Sequence, residues 1–258
     1  MSGVVTFDGE PPPGTINFGV GQPSADLLPV DLIREASESF LAEAQPFDLN
    51  YGVLQGDERF LESLAGYLTE EYFAPVSPES LFVTAGNSQA LDLVSTAFSS
   101  AGDTVFVEEP SYYLAHQILR DHGLNVVGIP IDDDGMRVDS LEAGLKEHSP
   151  AFIYIIPSYH NPGGHCMSGE RRVRLSELSQ QHGFLIVADE VYQLLHYFDA
   201  PPPAFGTMIE SDNVVSLGSF SKILAPGMRL GWIQTGPELR ERLTQVGFVN
   251  SGGSINHY

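Results

Sequence analysis

The chain has 258 residues, with 34 acidic side chains against 12 basic ones and a formal charge of −22. A surface this acidic repels nucleic acid and anionic membranes, so neither is expected as a partner; the acidity is spread along the chain, as on a solvated surface. The chain is 42% hydrophobic, which suffices for a sizeable core; its single cysteine, Cys166, excludes an intrachain disulfide and fits a reducing, cytoplasmic compartment, and no run of 18 apolar residues exists to cross a membrane.

Residues 1–15 are rich in Pro, Gly and acid and read as an irregular arm; they show neither the basic nor the apolar region of a signal peptide, and none is expected. Helical spacing of Leu32, Ile33, Ala36, Phe40 and Leu41 predicts a helix over 30–44, and a second amphipathic helix follows Gly56-Asp57 over 57–72. From there the pattern alternates. Strands are predicted at 81–84, 104–107, 126–130, 152–156, 185–188, 214–217 and 230–235. Helices are predicted at 90–98, 112–122 and 170–182. Strands alternating with helices specify an α/β fold of three layers, a mostly parallel sheet with helices on both faces. The reading divides the chain into an arm and first helix over 1–45 and one large domain over 46–258.

In such sheets ligands bind at the carboxyl ends of the strands. Five polar clusters fall there: Gly86-Asn87-Ser88, Pro110-Ser-Tyr112, Asn161-Pro-Gly-Gly, Asp189-Glu-Val-Tyr192 and Ser219-Phe-Ser-Lys222. Lys222 is one of only two lysines, the other being Lys146. Its amine can attack a carbonyl carbon and form a Schiff base, which arginine cannot do. The surrounding hydroxyls, glycines and Arg229 suit a phosphate. Together they point to an aldehyde cofactor that carries a phosphate. On that reading Lys222 takes the aldehyde. Asp189, at a buried strand end, keeps a ring nitrogen protonated. Asn161 and Tyr192 donate to a phenolic oxygen, and Tyr112 stacks on the ring. Gly86, Asn87 and Ser88 at a helix start, with Ser219, Ser221 and Arg229, cradle the phosphate.

Three decoys fail on their chemistry. Ser219-Phe-Ser-Lys222 also fits S-x-x-K and Ser211-Asp-Asn213 fits S-D-N, but their order is wrong for serine acyl enzymes and no K-T-G exists. His160, His165 and Cys166 flank Pro-Gly-Gly without a fourth ligand, so no metal is expected. Asp132-Asp-Asp-Gly135 lacks the calcium-loop pattern and reads as a turn.

With Asn161-Pro-Gly-Gly164, Asp189-Glu-Val-Tyr192 and Ser219-Phe-Ser-Lys222-Ile-Leu-Ala-Pro-Gly-Met-Arg229 in this order, spaced by 28 and 33 residues from Asn161 to Asp189 and on to Lys222, the chain resembles the class I/II aminotransferases, fold-type-I pyridoxal-phosphate enzymes. It looks most like their 2-aminoadipate and aromatic or branched-chain branch. The resemblance implies pyridoxal 5'-phosphate as cofactor, an L-amino acid and a 2-oxo acid as substrates, and Lys222 as proton shuttle with Asp189 and Tyr192 beside it. It implies that Tyr51 reaches a phosphate across a homodimer interface and that Gly21, with Asn161, lines the substrate site. Family members are longer. The small carboxyl-terminal domain, with the arginine that grips the substrate carboxylate, is not expected in this chain. Two other readings stay open: another fold-type-I reaction, such as lyase or decarboxylase chemistry, and a truncated isoform that binds the cofactor without turnover.

Overall fold

A computed structural model describes residues 14–16, 21 and 23–252. Most of the arm expected over 1–15, and the Gly21 segment apart from Gly21 and Pro23, lie outside the described residues. Eight strands form one sheet: β1 Leu81–Thr84, β2 Thr104–Glu109, β3 Asn125–Asp132, β4 Gly135–Met136, β5 Phe152–Ile155, β6 Leu185–Asp189, β7 Val214–Ser219 and β8 Gly231–Thr235. Their order is β1-β8-β7-β6-β5-β2-β3-β4. The run β7-β6-β5-β2-β3 is parallel, while β8 is antiparallel to both β7 and β1, and β4 folds back on β3.

Alternation along each strand divides the core into two layers. Val105 and Val107 of β2 and Phe152 and Tyr154 of β5 face α3 (Asn87–Phe98), α4 (Tyr113–Asp121) and α7 (Pro237–Thr244). Phe106, Ile153 and Ile155 face the opposite way, against α5 (Val138–Glu147) and α6 (Gly169–His182). A third cluster seats Leu61, Leu64 and Leu68 of α2 (Glu58–Tyr72) on Leu81, Val83 and Trp232. Asp57 caps α2 by accepting from the amides of Arg59 and Phe60 at 3.0 and 3.2 Å, the start that Gly56-Asp57 predicted.

The expected three-layer architecture is present. Differences are local. Helices α5, α7 and α8 (Gly247–Asn250) and the two-residue β4 were not predicted; α7, α8 and β4 are too short for periodicity to register, whereas α5 does set Val138, Leu141 and Leu145 on one core-facing side. The Asp132–Gly135 stretch does form the turn between β3 and β4, with Asp132 tied to Arg171, Oδ2 to Nη2 at 2.8 Å. Helix α1, Val30–Glu43, matches its predicted span but buries none of its residues.

Candidate active site

Asp189 ends β6 deep in the sheet. Its Oδ2 accepts from the Tyr154 hydroxyl at 2.7 Å, and its Oδ1 accepts from Asn87 Nδ2 at 2.6 Å. Burial pushes the carboxyl above the usual carboxylate range, and these neutral donors pull it back only in part. No cationic side chain pairs with it among the described residues. The carboxylate is therefore built to receive a positive charge that the described residues do not supply.

Lys222 lies just beyond β7, half-buried. Its Nζ donates to the carbonyl of Gly21, and desolvation holds the amine below the ordinary lysine value. That shift favours the neutral, nucleophilic form. Nearby, Ser219 Oγ donates to Ser221 Oγ at 2.9 Å and accepts from the Ser221 amide at 3.1 Å. Arg229, at φ +48°, turns its guanidinium back so that Nη2 donates to the carbonyl of Ala85 at 3.1 Å. A Cβ on Gly86 would stand 2.8 Å from that Nη2, and one on Gly231 would stand 2.9 Å from Gly86 Cα. Glycine at 86 and 231 is what lets β8, the Arg229 side chain and the start of α3 converge. The first amides of α3, those of Asn87 and Ser88, have no carbonyl one turn back to bond. Helix start, two serine hydroxyls and Arg229 thus converge as a phosphate cradle would.

Asn161 stands beside the Tyr192 phenol and favours its ionised form, though burial, the larger effect, still raises the phenol. Tyr112 is half-buried against the core on the α3 face; burial, then the neighbouring Tyr113, Asp189 and Tyr192, raise its hydroxyl. Tyr51 stands 81% exposed, with its ring against Gly252. Of the residues singled out from the sequence, the Asp189–Asn87 and Asn161–Tyr192 pairs, the Ser219–Ser221–Arg229–Gly86 cradle and the Lys222–Gly21 contact meet around the strand ends. Tyr51 touches none of them.

Residues 13–249 match the family model of aminotransferase class I and II. The chain belongs to that family. It is 37% identical to aromatic-amino-acid aminotransferase 1 of Thermococcus litoralis over 233 residues, 88% of this chain and 56% of that protein. It is 31% identical to the uncharacterized HTH-type transcriptional regulator YisV of Bacillus subtilis, over 95% of this chain and 50% of that one. Among solved structures, the α-aminoadipate aminotransferase LysN of Thermus thermophilus, complexed with N-(5'-phosphopyridoxyl)-L-leucine, superposes with a TM-score of 0.82 at 32% identity, over 92% of this chain and 60% of that one. The chain spans about half to three-fifths of the length of these relatives.

Sequence reasoning missed several groups in this aminotransferase-family chain. Tyr154 was read only as part of an apolar strand; its signal was a lone hydroxyl in Phe-Ile-Tyr-Ile-Ile. Asn87 was assigned to the phosphate, yet its side chain serves Asp189. Behind the site, buried Arg172 donates to the carbonyls of Pro157 (2.9 Å) and Pro203 (3.0 Å) and to Ser158 Oγ (2.8 Å), 3.7 Å from Glu190. Glu190 in turn accepts from the amides of Phe205 and Gly206 and from Ser216 Oγ.

Glu108, His160 and His165 bring their ligand-type atoms within 4.8 Å of one another, a grouping of metal-site size that the sequence reading lacked because Glu108 is remote in the chain. The tautomer opposes ligation by His160. The amide of Gly163 donates to His160 Nδ1 at 2.9 Å, so a neutral ring carries its proton on Nε2 and offers no lone pair there. Cys166 lies apart from the three, its sulfur accepting from the amide of Tyr159.

Proposed function

We propose that this chain is the large domain of a pyridoxal-phosphate-dependent aminotransferase that moves an amino group from an L-amino acid to a 2-oxo acid. The observation that carries the reading is Asp189: a buried carboxylate at a parallel strand end, held by two neutral side-chain donors, with no cationic side chain paired to it among the described residues. A protonated pyridine nitrogen supplies the missing charge. Its neighbours match the rest of the molecule: Ser219, Ser221, Arg229 and the Asn87 and Ser88 amides for a phosphate, Asn161 and Tyr192 for a ring oxygen, Tyr112 for a ring face.

When bound, the cofactor supplies an aldehyde that captures amines and a ring that withdraws electrons from the carbon losing its proton. The protein's own part is positioning and proton handling. Lys222, its amine kept below the usual lysine value by desolvation, would hold the aldehyde through Nζ with loss of water and, as a free amine, would be the group that lifts a proton and returns it nearby. Asp189 would hold the ring proton, and Tyr192, beside Asn161, would donate toward the ring oxygen. Gly21, whose carbonyl receives the Lys222 amine, belongs to the substrate side with Asn161.

We read the assembly as a homodimer, supported by the exposure of Tyr51, whose hydroxyl would reach a partner's phosphate, and by an α1 with no buried residue in its own chain. That same contrast between α1 and α2 supports dividing the chain into 1–45 and 46–258. Net charge argues against nucleic acid and membrane as partners, and the single cysteine supports a cytoplasmic setting. No helix among the described residues is long and apolar enough to cross a membrane.

The test is spectroscopic. Purified chain mixed with pyridoxal phosphate should develop the visible band of lysine-bound cofactor. An amino acid alone should bleach it and a 2-oxo acid should restore it. Bleaching with release of ammonia or carbon dioxide, and no restoration, would instead indicate lyase or decarboxylase chemistry. A band that no amino acid disturbs would mark cofactor binding without turnover.

A further inference from the structure

Asn161 is carried on the loop that follows β5, yet a hydrogen-bond donor works only if its position is held to a few tenths of an ångström. What holds it is the residue before it. His160 anchors the loop at three points: its amide donates to the His165 carbonyl at 2.8 Å, its carbonyl accepts from Gly164 at 2.6 Å, and its Nδ1 accepts from Gly163 at 2.9 Å. The ring of His165 stacks on it at 4.5 Å, with 15° between the planes. Nε2 then lies 3.2 Å from Glu108 Oε2, both side chains fully buried. The same Oε2 accepts from the Ile156 amide at 2.7 Å.

An apolar filler would close this loop at less cost, because a buried carboxylate is expensive unless its charge is used. Here the Gly163 amide fixes the tautomer, with Nδ1 toward the loop and the Nε2 side of the ring turned to Glu108, 3.2 Å away but outside hydrogen-bond geometry. A metal at this place is disfavoured by that tautomer, which leaves the orienting role.

We propose that His160 is a positioning residue: held between the Gly163 amide and Glu108, it sets the Asn161 side chain against Tyr192 so that it can donate to the cofactor's ring oxygen. The proposal rests on the cofactor reading above. A donor on the ring oxygen competes for the proton that this oxygen shares with the lysine nitrogen. Losing the donor lets that proton be held more tightly, and the visible band should titrate at higher pH.

The experiment is a pH titration of the visible band in the cofactor-loaded chain, for the wild type, His160→Leu, His160→Gln, Asn161→Ala and the double variant His160→Leu/Asn161→Ala. His160→Leu should move the midpoint up by about one pH unit, the size expected for weakening one hydrogen bond to an anionic oxygen. His160→Gln should recover most of that shift, since its amide oxygen can accept from Gly163 while its nitrogen faces Glu108. The double variant should match Asn161→Ala alone, because a residue acting through Asn161 has nothing left to act on. A midpoint unchanged in His160→Leu, or a double variant shifted by the sum of the two singles, overturns the proposal. Should His160→Leu not fold, Glu108→Gln carries the same test: about half a unit upward is expected, and no shift overturns it. A wild type without the band overturns the cofactor reading and this one together; a wild-type band with unmoved variants overturns this one alone.

Discussion

Asn87 Nδ2 donates to Asp189 Oδ1 at 2.6 Å, joining the first residue of α3 to the last residue of β6 across 102 positions of sequence. With the Tyr154 hydroxyl on the other oxygen, the carboxylate is held from two sides by groups that cannot neutralise it. A buried anion fixed in place but unpaired is poised for a cationic ligand, and its consequences can be measured before any ligand is added.

Tyr154→Phe removes one of the two side-chain donors and leaves the packing of β5 intact. Losing a hydrogen bond to a buried charged group costs about 1.5–3 kcal/mol. Urea unfolding at neutral pH should show that loss. An unchanged midpoint would mean that Asp189 is not held as an anion.

Asp189 makes the cofactor-free chain pH-sensitive in a known direction. Its carboxyl sits above the ordinary range in the folded state. Between the ordinary value and the raised one, the folded chain keeps a proton that the unfolded chain has lost, so stability falls as pH rises through that window. Asp189→Asn should flatten this dependence, read as Tm against pH, and should lower amino-transfer rate by a factor on the order of 10²–10³ once cofactor is present, as for loss of a preorganised electrostatic partner. A slope that survives the substitution would assign it to another group.

Lys222 has the opposite sign. Its amine is depressed by desolvation, so from that depressed value up to the ordinary lysine range the folded chain binds fewer protons than the unfolded one, and stability rises with pH. The rate of aldehyde capture should climb with pH and level off below the free-lysine value of about 10.4. Lys222→Ala should abolish the visible band and cut turnover by about 10²–10⁴. Stopped-flow mixing with pyridoxal phosphate across pH checks the first expectation and steady-state assays the second.

Arg172 and Glu190 form the buried charge pair behind the site, and the guanidinium also donates to the carbonyls of Pro157 and Met167, on either side of the loop that carries Asn161. Removing one member strands the other: Arg172→Leu should cost about 3–5 kcal/mol in denaturant unfolding. Arg172→Leu with Glu190→Gln should recover part of it. A single variant no less stable than the double would show that the pair carries little coupling.

Much of the fold was legible because it rests on local periodicity. The seven longer strands and helices α1, α2, α3, α4 and α6 were legible from their own apolar patterns; β4, α7 and α8 are too short to show one, and α5 was missed although Val138, Leu141 and Leu145 line its buried side. The site divides in the same way. Lys222, Asp189, Asn161, Tyr192 and the glycine-serine clusters stand next to strand ends, where an α/β sheet must put its chemistry, so their order in the chain was enough to single them out. Which atoms meet was another matter. That Asn87 serves Asp189, that Tyr154 is its second donor, that Arg229 curls back over Gly86 and that Glu108 stands behind His160 all depend on side chains arriving from different strands. Strand order is decided by how the sheet packs, which no short window of sequence encodes. The sequence by itself determined the layers and the chemical vocabulary of the site; the tertiary structure alone decided the pairings, because buried charges and donors choose partners by distance in space.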